Sequence, residues 1–270
     1  MGNEKEKTQI SIPKNKQWMA TRDVLWYLVF FGFAVNYMIR INLNIAIVSM
    51  VQARPKSNIS SVECFTELSL NESSINGTES VEQMQEPADE TKFEWNEKQQ
   101  GLILGAFFWL HWATQVPGGI LAAKYGTKMI FGVSNFVGVL FCFIMPWASY
   151  MGPEYLIFLR VVQGIITGFA WPAMHHMTAR WIPPNERSKF VTAYLGSSVG
   201  AGITFPVCGY IISRWGWEVV FHVCGVAGCV WYTAWYFLVF DSPAEHPRIS
   251  DEEREYIVRS LGRSISKEKF

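Results

Sequence analysis

The chain has 270 residues, of which 50% are hydrophobic and 15% aromatic, and its 23 Lys and Arg balance 23 Asp and Glu. This balance excludes the strongly basic surface of a nucleic-acid-binding protein, and the aromatic content excludes a wholly disordered chain. The apolar residues are gathered into six long blocks that contain almost no charge, whereas residues 52–100 and 241–270 are polar. Such clustering is not typical of a soluble domain.

Each apolar block has about the 20 residues that a helix needs to cross the hydrocarbon core of a bilayer. The blocks are 24–51, 101–123, 129–150, 155–178, 190–213 and 219–240. Gly and Pro recur inside them, as is common in membrane spans. We therefore predict an all-α membrane protein in which a leading segment, 1–23, precedes a six-span region, 24–240, and a connector, 241–270, follows it.

The basic residues outside the spans predict the orientation. Most of them lie in 1–23, in the connections after the second and fourth spans, and in 241–270. Because Lys and Arg are enriched in cytoplasmic loops, both ends of the chain are predicted to be cytoplasmic and the loop 52–100 to face outward. That loop is acidic and contains three Asn-x-Ser/Thr sequons, at Asn58, Asn71 and Asn76, which we predict to be glycosylated.

The cysteines do not predict a disulfide framework. Cys142, Cys208, Cys224 and Cys229 lie in predicted spans, where they are expected to pack as small apolar side chains, and Cys64 stands alone in the outer loop. No cluster has the spacing of a zinc site, and no nucleophile and base or phosphate-binding Gly-rich loop is present, so we expect neither a cofactor nor an enzyme.

Arg40 lies deep in the first span, ~24 Å along the helix from Val24. An unpaired Arg near the centre of a membrane costs about 2.5–3.5 kcal/mol on insertion scales, and no acid lies within any span core of this chain. Helical spacing places Asn36, Tyr37, Arg40 and Asn44 along one side. We predict that Tyr37, Arg40 and Asn44 line a cavity for an anion. The alternative is an Arg satisfied by carbonyls or by a carboxylate of another helix.

A second polar stripe follows the fourth span at steps of three or four residues: Arg160, Gln163, Thr167, Trp171 and His175. Arg160 lies one to two turns below the outer end, where its side chain is expected to be able to snorkel to the surface. This position leaves a structural and a functional role about equally open.

Four histidines lie in the predicted spans. His175 and His176 each have a packing interpretation and a proton-linked one. His111 and His222 are expected to be structural. Since His175 and His176 are adjacent, they point about 100° apart and do not form a metal pair from one helix face.

Several motifs resemble the major facilitator superfamily. Arg160-Val-Val-Gln163-Gly164 resembles its fourth-span signature, and the segment from Gly119 to Lys128 resembles its turn between spans two and three, with Ala123 in place of the usual Asp. More specific is the 181–189 segment, Trp-Ile-Pro-Pro-Asn-Glu-Arg-Ser-Lys, which is similar to the loop between spans four and five of the organic and inorganic anion carriers. This family includes sialin, the vesicular glutamate transporters and the sodium–phosphate cotransporters, and the motifs are most similar to those of sialin.

The resemblance implies roles for individual residues. Arg40 and Arg160 would bind the substrate anion, facing each other near a central cavity, with His175 as a gate or proton partner. The conformational motifs would comprise Gly119, Lys124, Gly126 and Lys128 in one turn and Glu186 and Arg187 in the other. Proton-coupled members have a Glu at the position of Thr167, and sialin has another at that of Gln163, so proton symport through these positions is in doubt here. Coupling to Na⁺, to membrane potential or by exchange is favoured instead.

The resemblance also implies an architecture. The family has twelve spans in two six-helix halves, each built from two inverted three-helix repeats. This chain would correspond to the N-terminal half followed by a connector helix. The pattern Ser250-x-x-Glu253 predicts a capping box at the start of that helix. The expected partners are a small anion, the bilayer and the second half. We predict anion transport, at the plasma membrane in preference to a lysosomal or vesicular membrane. The alternative is a truncated membrane protein that transports nothing and associates at most with full-length carriers.

Overall fold

A computed structural model describes residues 19–51 and 92–262. In these ranges the chain consists of helices and turns, with one isolated bridge between Val51 and Phe93. The α-helices are α1 Thr21–Met50, α2 Glu97–Ala106, α3 Gln115–Tyr125, α4 Thr127–Met151, α5 Pro153–Thr167, α6 Ala170–Trp181, α7 Arg187–Val191, α8 Gly196–Trp215, α9 Trp217–Leu238 and α10 Asp251–Leu261. A short 3-10 helix, Thr192–Leu195, joins α7 to α8. The three sequons and Cys64 lie outside the described residues.

Five helical segments of the described chain are long and apolar enough to cross a membrane. They are Thr21–Met50, Thr127–Met151, Pro153–Trp181, Arg187–Trp215 and Trp217–Leu238. They correspond to the first, third, fourth, fifth and sixth predicted blocks. Each extends a few residues beyond its block at one end or at both, because the polar residues that flank an apolar stretch continue the same helix.

The block predicted as the second span, 101–123, is not one regular helix. Helix α2 ends at Ala106, α3 begins at Gln115, and turns occupy 107–114. The hydrogen bonds there are partly of the tighter 3-10 kind, as from the amide of Phe108 to the carbonyl of Gly105. Pro117 contributes to the break because it has no N–H to bond back into this segment. Apolar composition alone does not reveal such an interruption.

The fourth block contains a similar break, at Gly168 and Phe169 between α5 and α6. The amide of Gly168 still bonds the carbonyl of Gly164, whereas that of Phe169 bonds only three residues back, to Ile166. The segment therefore continues in nearly the same direction. The breaks of the second and fourth blocks lie against each other, since α2 packs on α5 and α3 packs on α6.

Helix α1 packs against α8 and α9, and α4 packs against α5 and α9. The resulting interior has two main apolar clusters. One involves α1 from Leu25 to Ile39, and the other involves α1 from Leu43 to Met50. Polar side chains are buried near the boundary between them, among them Asn42, Arg160 and Gln163. The interior is thus layered, with polar groups near the middle of the membrane-crossing helices.

Helix α10 starts at the predicted position, and the hydroxyl of its N-cap, Ser250, accepts a hydrogen bond from the amide of Glu253 at 3.2 Å. The reciprocal half of the predicted capping box is wrong. The Glu253 carboxylate instead accepts from the amides of Thr21 and Arg22, both at 3.2 Å. It therefore caps the start of α1, where Ala20 provides no side-chain cap.

Candidate functional site

Arg160 lies on α5 with only 1% of its surface exposed. Its guanidinium donates to the carbonyl of Arg40 at 3.0 Å, to that of Ile39 at 3.4 Å and to Oε1 of Gln163 at 3.0 Å. Nε has no hydrogen-bond partner in the described chain. The snorkelling that its position allows does not occur, because the side chain points into the helix bundle toward α1, where it bonds neutral groups and not a carboxylate.

Asn42 bonds the backbone of α1 near one of these carbonyls. In a regular helix the amide of Leu43 would bond the carbonyl of Ile39. Here the amide of Leu43 donates to Oδ1 of Asn42 at 2.7 Å. A side chain that bonds the local backbone competes with the helical ladder. The carbonyl of Ile39, which has two lone pairs, accepts from Arg160 and so helps to join α1 to α5.

Arg40 is half-buried, and its guanidinium lies over three aromatic rings. The distances from Cζ to the ring centroids are 4.2 Å for Phe108, 5.1 Å for Tyr37 and 5.5 Å for Phe107. Aromatic faces attract a cation without using its N–H donors. In the described residues no carboxylate forms an ion pair with Arg40.

Phe107, which the sequence patterns did not single out, joins the two arginines. Its ring centroid lies 5.5 Å from Cζ of Arg40 and 5.2 Å from Cζ of Arg160. Gly164 permits this arrangement, because a Cβ there would lie 2.0 Å from the carbonyl oxygen of Phe107. A Gly four residues after an Arg on one helix was the available signal, yet its partner segment is distant in sequence.

The structure divides the polar stripe of the first span. Tyr37 lies next to Arg40, and Asn44 is exposed. Asn36 is different, because it is buried and donates to Oδ1 of Asn135 on α4 at 2.7 Å. Asn36 therefore joins α1 to α4 and does not line the exposed part of the stripe.

Gln163 and Thr167, which occupy the positions where proton-coupled relatives are expected to have Glu, are both buried and hydrogen-bonded. Nε2 of Gln163 donates to the carbonyl of Gly138 on α4 at 3.0 Å, in addition to the contact with Arg160. The hydroxyl of Thr167 donates to the carbonyl of Gln163 at 2.8 Å. Both side chains bond neutral groups, so this part of α5 carries no negative charge beside Arg160.

His175 lies apart from these contacts. It is exposed, and its ring meets the ring of Tyr194 edge-on at 5.2 Å. The hydroxyl of Tyr194 in turn lies 3.0 Å from that of Thr178. The structure therefore places His175 beside the 3-10 helix and does not show it in contact with either arginine.

The turn between α3 and α4 contains Gly126 in a left-handed conformation, with φ of 91°. A side chain is disfavoured there, and its Cβ would lie 2.5 Å from the carboxylate of Asp241. Asp241 accepts from the amide of Lys128 at 2.7 Å, at the N-terminus of α4. It thus supplies a carboxylate near the turn in which Ala123 replaces the expected Asp.

The remaining motif residues have different surroundings. The ammonium of Lys128 lies 4.4 Å from the ring centroid of Phe240, and that of exposed Lys124 lies 5.2 Å from that of Tyr125. Gly119 lies near Pro172. Arg187 donates to the carbonyl of Ile182 at 3.4 Å. These contacts are local and do not bring the residues to Arg40 or Arg160.

Glu186 belongs to an ionic cluster that sequence analysis missed. Its carboxylate pairs with Arg22 and accepts from the hydroxyl of Tyr256 at 3.1 Å. Arg22 also pairs with Glu253 through Nε at 3.0 Å. We call Arg22, Glu186, Glu253 and Tyr256 the connector cluster. The sequence indicates Arg22 only as one of the basic residues of 1–23 that predict the orientation. The cluster was not predicted because the partners of Arg22 lie more than 160 positions away.

The described chain holds no group of three or more His, Cys, Asp or Glu side chains arranged to bind a metal ion. What the site offers chemically is positive charge: two guanidiniums lie over one aromatic ring, and one of them is bonded to carbonyls of α1 while the other lies among three aromatic rings. Such an arrangement suits a negatively charged ligand.

Comparison with known proteins agrees with the helical membrane fold. The chain matches the Major Facilitator Superfamily over residues 29–269 and belongs to that superfamily. It is therefore a multi-pass integral membrane protein of a transporter family, not an enzyme.

The chain is also similar to particular members of the superfamily. It is 36% identical to sialin of Ovis aries over 248 residues, which are 91% of this chain and 48% of that protein. It is 37% identical to vesicular glutamate transporter 3 of Danio rerio over 244 residues, 88% of this chain and 37% of that protein. The resemblance to this carrier family is confirmed. The chain spans less than half the length of these relatives.

Proposed function

We propose that this chain forms the anion-binding half of a transporter that moves an organic or inorganic anion across a membrane by alternating access. The observation that carries the proposal is the pair of guanidiniums that both lie over the ring of Phe107, at 5.5 and 5.2 Å, with no carboxylate paired to either among the described residues. Two uncompensated cations at mid-membrane are costly, and a bound anion would offset that cost.

The contacts suggest different tasks for the two arginines. Arg160 is buried and held by carbonyls of α1, so its charge is fixed in place. Arg40 is half-buried and lies over aromatic rings, and no carboxylate of the described residues pairs with it. We infer that Arg40 makes the direct bonds to the anion and that Arg160 maintains the positive potential of the site. Tyr37 and Asn44, on the same helix, would complete the polar lining.

The substrate class follows from charge and from the related proteins. Sialin and the vesicular glutamate transporters point to sialic acid, glutamate and other carboxylates. Phosphate is a further candidate, because a guanidinium fork can bind two oxygens of a phosphate as it binds two oxygens of a carboxylate. Because Gln163 and Thr167 replace the acids of proton-coupled members, these two positions do not carry a proton. His175 remains a proposed gate, since it lies on the segment that follows the break of α5 and α6.

The transporter we propose has twelve spans in two halves. This chain would supply six, in two inverted three-helix repeats, with α2 and α3 together forming the second span. A second six-span half would close the cavity on the exposed side of Arg40. The outer loop would carry glycans at Asn58, Asn71 or Asn76, both ends of the chain would be cytoplasmic, and the plasma membrane is the favoured location. The turns at Gly126 and Glu186 would change as the halves rock.

Uptake measurements test this proposal. Cells would produce this sequence alone or joined to a second six-span half, and uptake of N-acetylneuraminate, L-glutamate and phosphate would be measured across a sodium gradient and a pH gradient in turn. We expect saturable uptake of at least one anion by the joined protein. No uptake of any of the three by either form, with normal amounts at the cell surface, would overturn the proposal and favour the protein that transports nothing.

A further inference from the structure

His111 is the buried titratable residue that the proposed site leaves without a role. It lies in the turns between α2 and α3, with 7% of its surface exposed. It is 14 positions after Glu97, where α2 begins, and 14 before Tyr125, where α3 ends. This places His111 near the middle of the second predicted span.

Its hydrogen bond fixes one ring nitrogen. Nδ1 lies 3.0 Å from the carbonyl oxygen of Gly164 and donates to it, since a carbonyl can only accept. Nε2 makes no hydrogen bond within the described residues. The neutral ring therefore carries its proton on Nδ1 and presents Nε2 as a base. The adjacent residues Leu110 and Trp112 are exposed, so the turn borders the surface of this half.

The same ring is close to the anion site. Its centroid lies 5.2 Å from that of Phe107, the ring that both guanidiniums face. The charged groups that face the same Phe107 ring are Arg40 from α1 and Arg160 from α5. The two histidines of α6 face other groups: His175 meets Tyr194, and His176 meets Thr127. In the described chain no carboxylate is in contact with His111.

We propose that His111 is the proton-coupling residue of this transporter. The inference rests on the proposed anion transport and assigns a coupling ion to it. With the site empty, two nearby cations oppose a proton on Nε2. A bound anion removes that opposition, so the anion and the proton enter together, and the loss of the anion releases the proton from Nε2.

The coupling must be reciprocal. If the anion favours protonated His111, protonation favours the anion by the same factor. Anion affinity is then greatest below the pKa of His111 in the empty site, falls as pH rises, and is lowest above its pKa in the occupied site. A difference of about one pKa unit between the two states corresponds to roughly tenfold in affinity.

Two substitutions separate a proton-coupling role from a structural one. In His111→Asn the amide nitrogen takes the place of Nδ1, so the bond to the carbonyl of Gly164 can persist while the titratable group is lost. His222→Asn is the matched control, because Nδ1 of His222 also lies 2.9 Å from a helix carbonyl, that of Glu218, but on an exposed ring of α9.

The experiment measures the binding of N-acetylneuraminate, L-glutamate and phosphate to the full chain in lipid nanodiscs between pH 5.5 and 8. The expected result is about tenfold tighter binding of at least one anion at pH 5.5 in the unsubstituted protein and in His222→Asn. His111→Asn should bind with the pH 8 affinity throughout, and comparison with it corrects for the titration of phosphate.

The outcomes distinguish the two proposals. Binding that depends on Arg40 but varies with pH equally in His111→Asn and in the unsubstituted protein would overturn the role of His111 and leave anion transport standing. The same follows if His111→Asn retains its fold and all binding is independent of pH. Binding of none of the three anions would overturn both proposals.

Discussion

Phe107 allows two like charges to lie near each other in an apolar surrounding. The Cζ atom of each guanidinium lies over this ring, within the distance of about 6 Å from the ring centroid at which a cation–π contact is effective. A polar residue at this position would bind one arginine and would remove the aromatic ring that both arginines contact. The apolar character of Phe107 is therefore suited to an anion site that must remain positive.

Gly164→Ala should destabilise the protein. A Cβ at this position would lie 2.0 Å from the carbonyl oxygen of Phe107, so the backbone of the turn must move and the bond from His111 would be strained. Overpacking of this kind costs about 1–3 kcal/mol. Thermal unfolding in detergent is the measurement. Gly209→Ala is the control, because nothing lies within 4 Å of a Cβ there, and it should unfold at or above the original temperature. Equal effects of the two changes would show that the contact with Phe107 is not tight.

The stability of the connector should fall in weak acid because of His246. Burial against aromatic rings lowers the pKa of this side chain, and Nδ1 accepts a hydrogen bond from the amide of Arg248 at 3.2 Å. A folded-state pKa below the unfolded value means that the unfolded chain takes up the proton first, so stability is intact above about pH 6.5 and decreases as pH falls below it. His246→Gln should reduce this dependence in unfolding measured from pH 7.5 to 5.5. An unchanged dependence would assign it to another group.

The helices show which features can be read from the sequence. The five long segments follow from apolar length, since few polar groups can be buried in lipid. The break at 107–114 was not predicted, because it depends on the approach of α5 at Gly164, a contact that no local pattern encodes. For the same reason the position of Arg160 along its own helix left a structural and a functional role open, because the carbonyls that bind it belong to α1.

Glu253 should hold helix α10 against the start of α1. This carboxylate is 8% exposed, caps α1 through two amides and pairs with Arg22. Glu253→Gln keeps the shape but removes the charge, and it leaves Arg22 with only Glu186. Hydrogen–deuterium exchange of Asp251–Leu261 should therefore speed up. Glu255→Gln is the matched control on the same helix, since its pair with Arg259 is exposed and surface pairs contribute little. Similar protection in Glu253→Gln and the original protein would show that the connector cluster does not hold α10.

The whole molecule combines two apolar clusters with a polar layer between them. The clusters could be predicted in outline, because they follow from six apolar blocks. From the residues alone the polar layer could be predicted only as two separate stripes, one on the first span and one on the fourth, and only the family resemblance implied that Arg40 and Arg160 face each other. Their meeting at Phe107 depends on how α1, α5 and the turns after α2 pack together. The folded structure adds the pairing of Arg40 with Arg160 through a common ring.

The most direct test of the account is the exchange of each arginine for lysine in a transporter in which this sequence is joined to a second six-span half. Lys keeps the charge but loses the planar fork, and hydrogen bonds to a charged group contribute about 1.5–3 kcal/mol. Anion uptake should therefore fall roughly tenfold or more for Arg40→Lys, which loses direct bonds to the anion, and for Arg160→Lys, which loses the fork that holds the carbonyls of α1. Arg259→Lys, on the exposed face of α10, should leave uptake unchanged. Normal uptake by both Arg40→Lys and Arg160→Lys, at equal amounts on the cell surface, would show that anion uptake needs neither guanidinium fork.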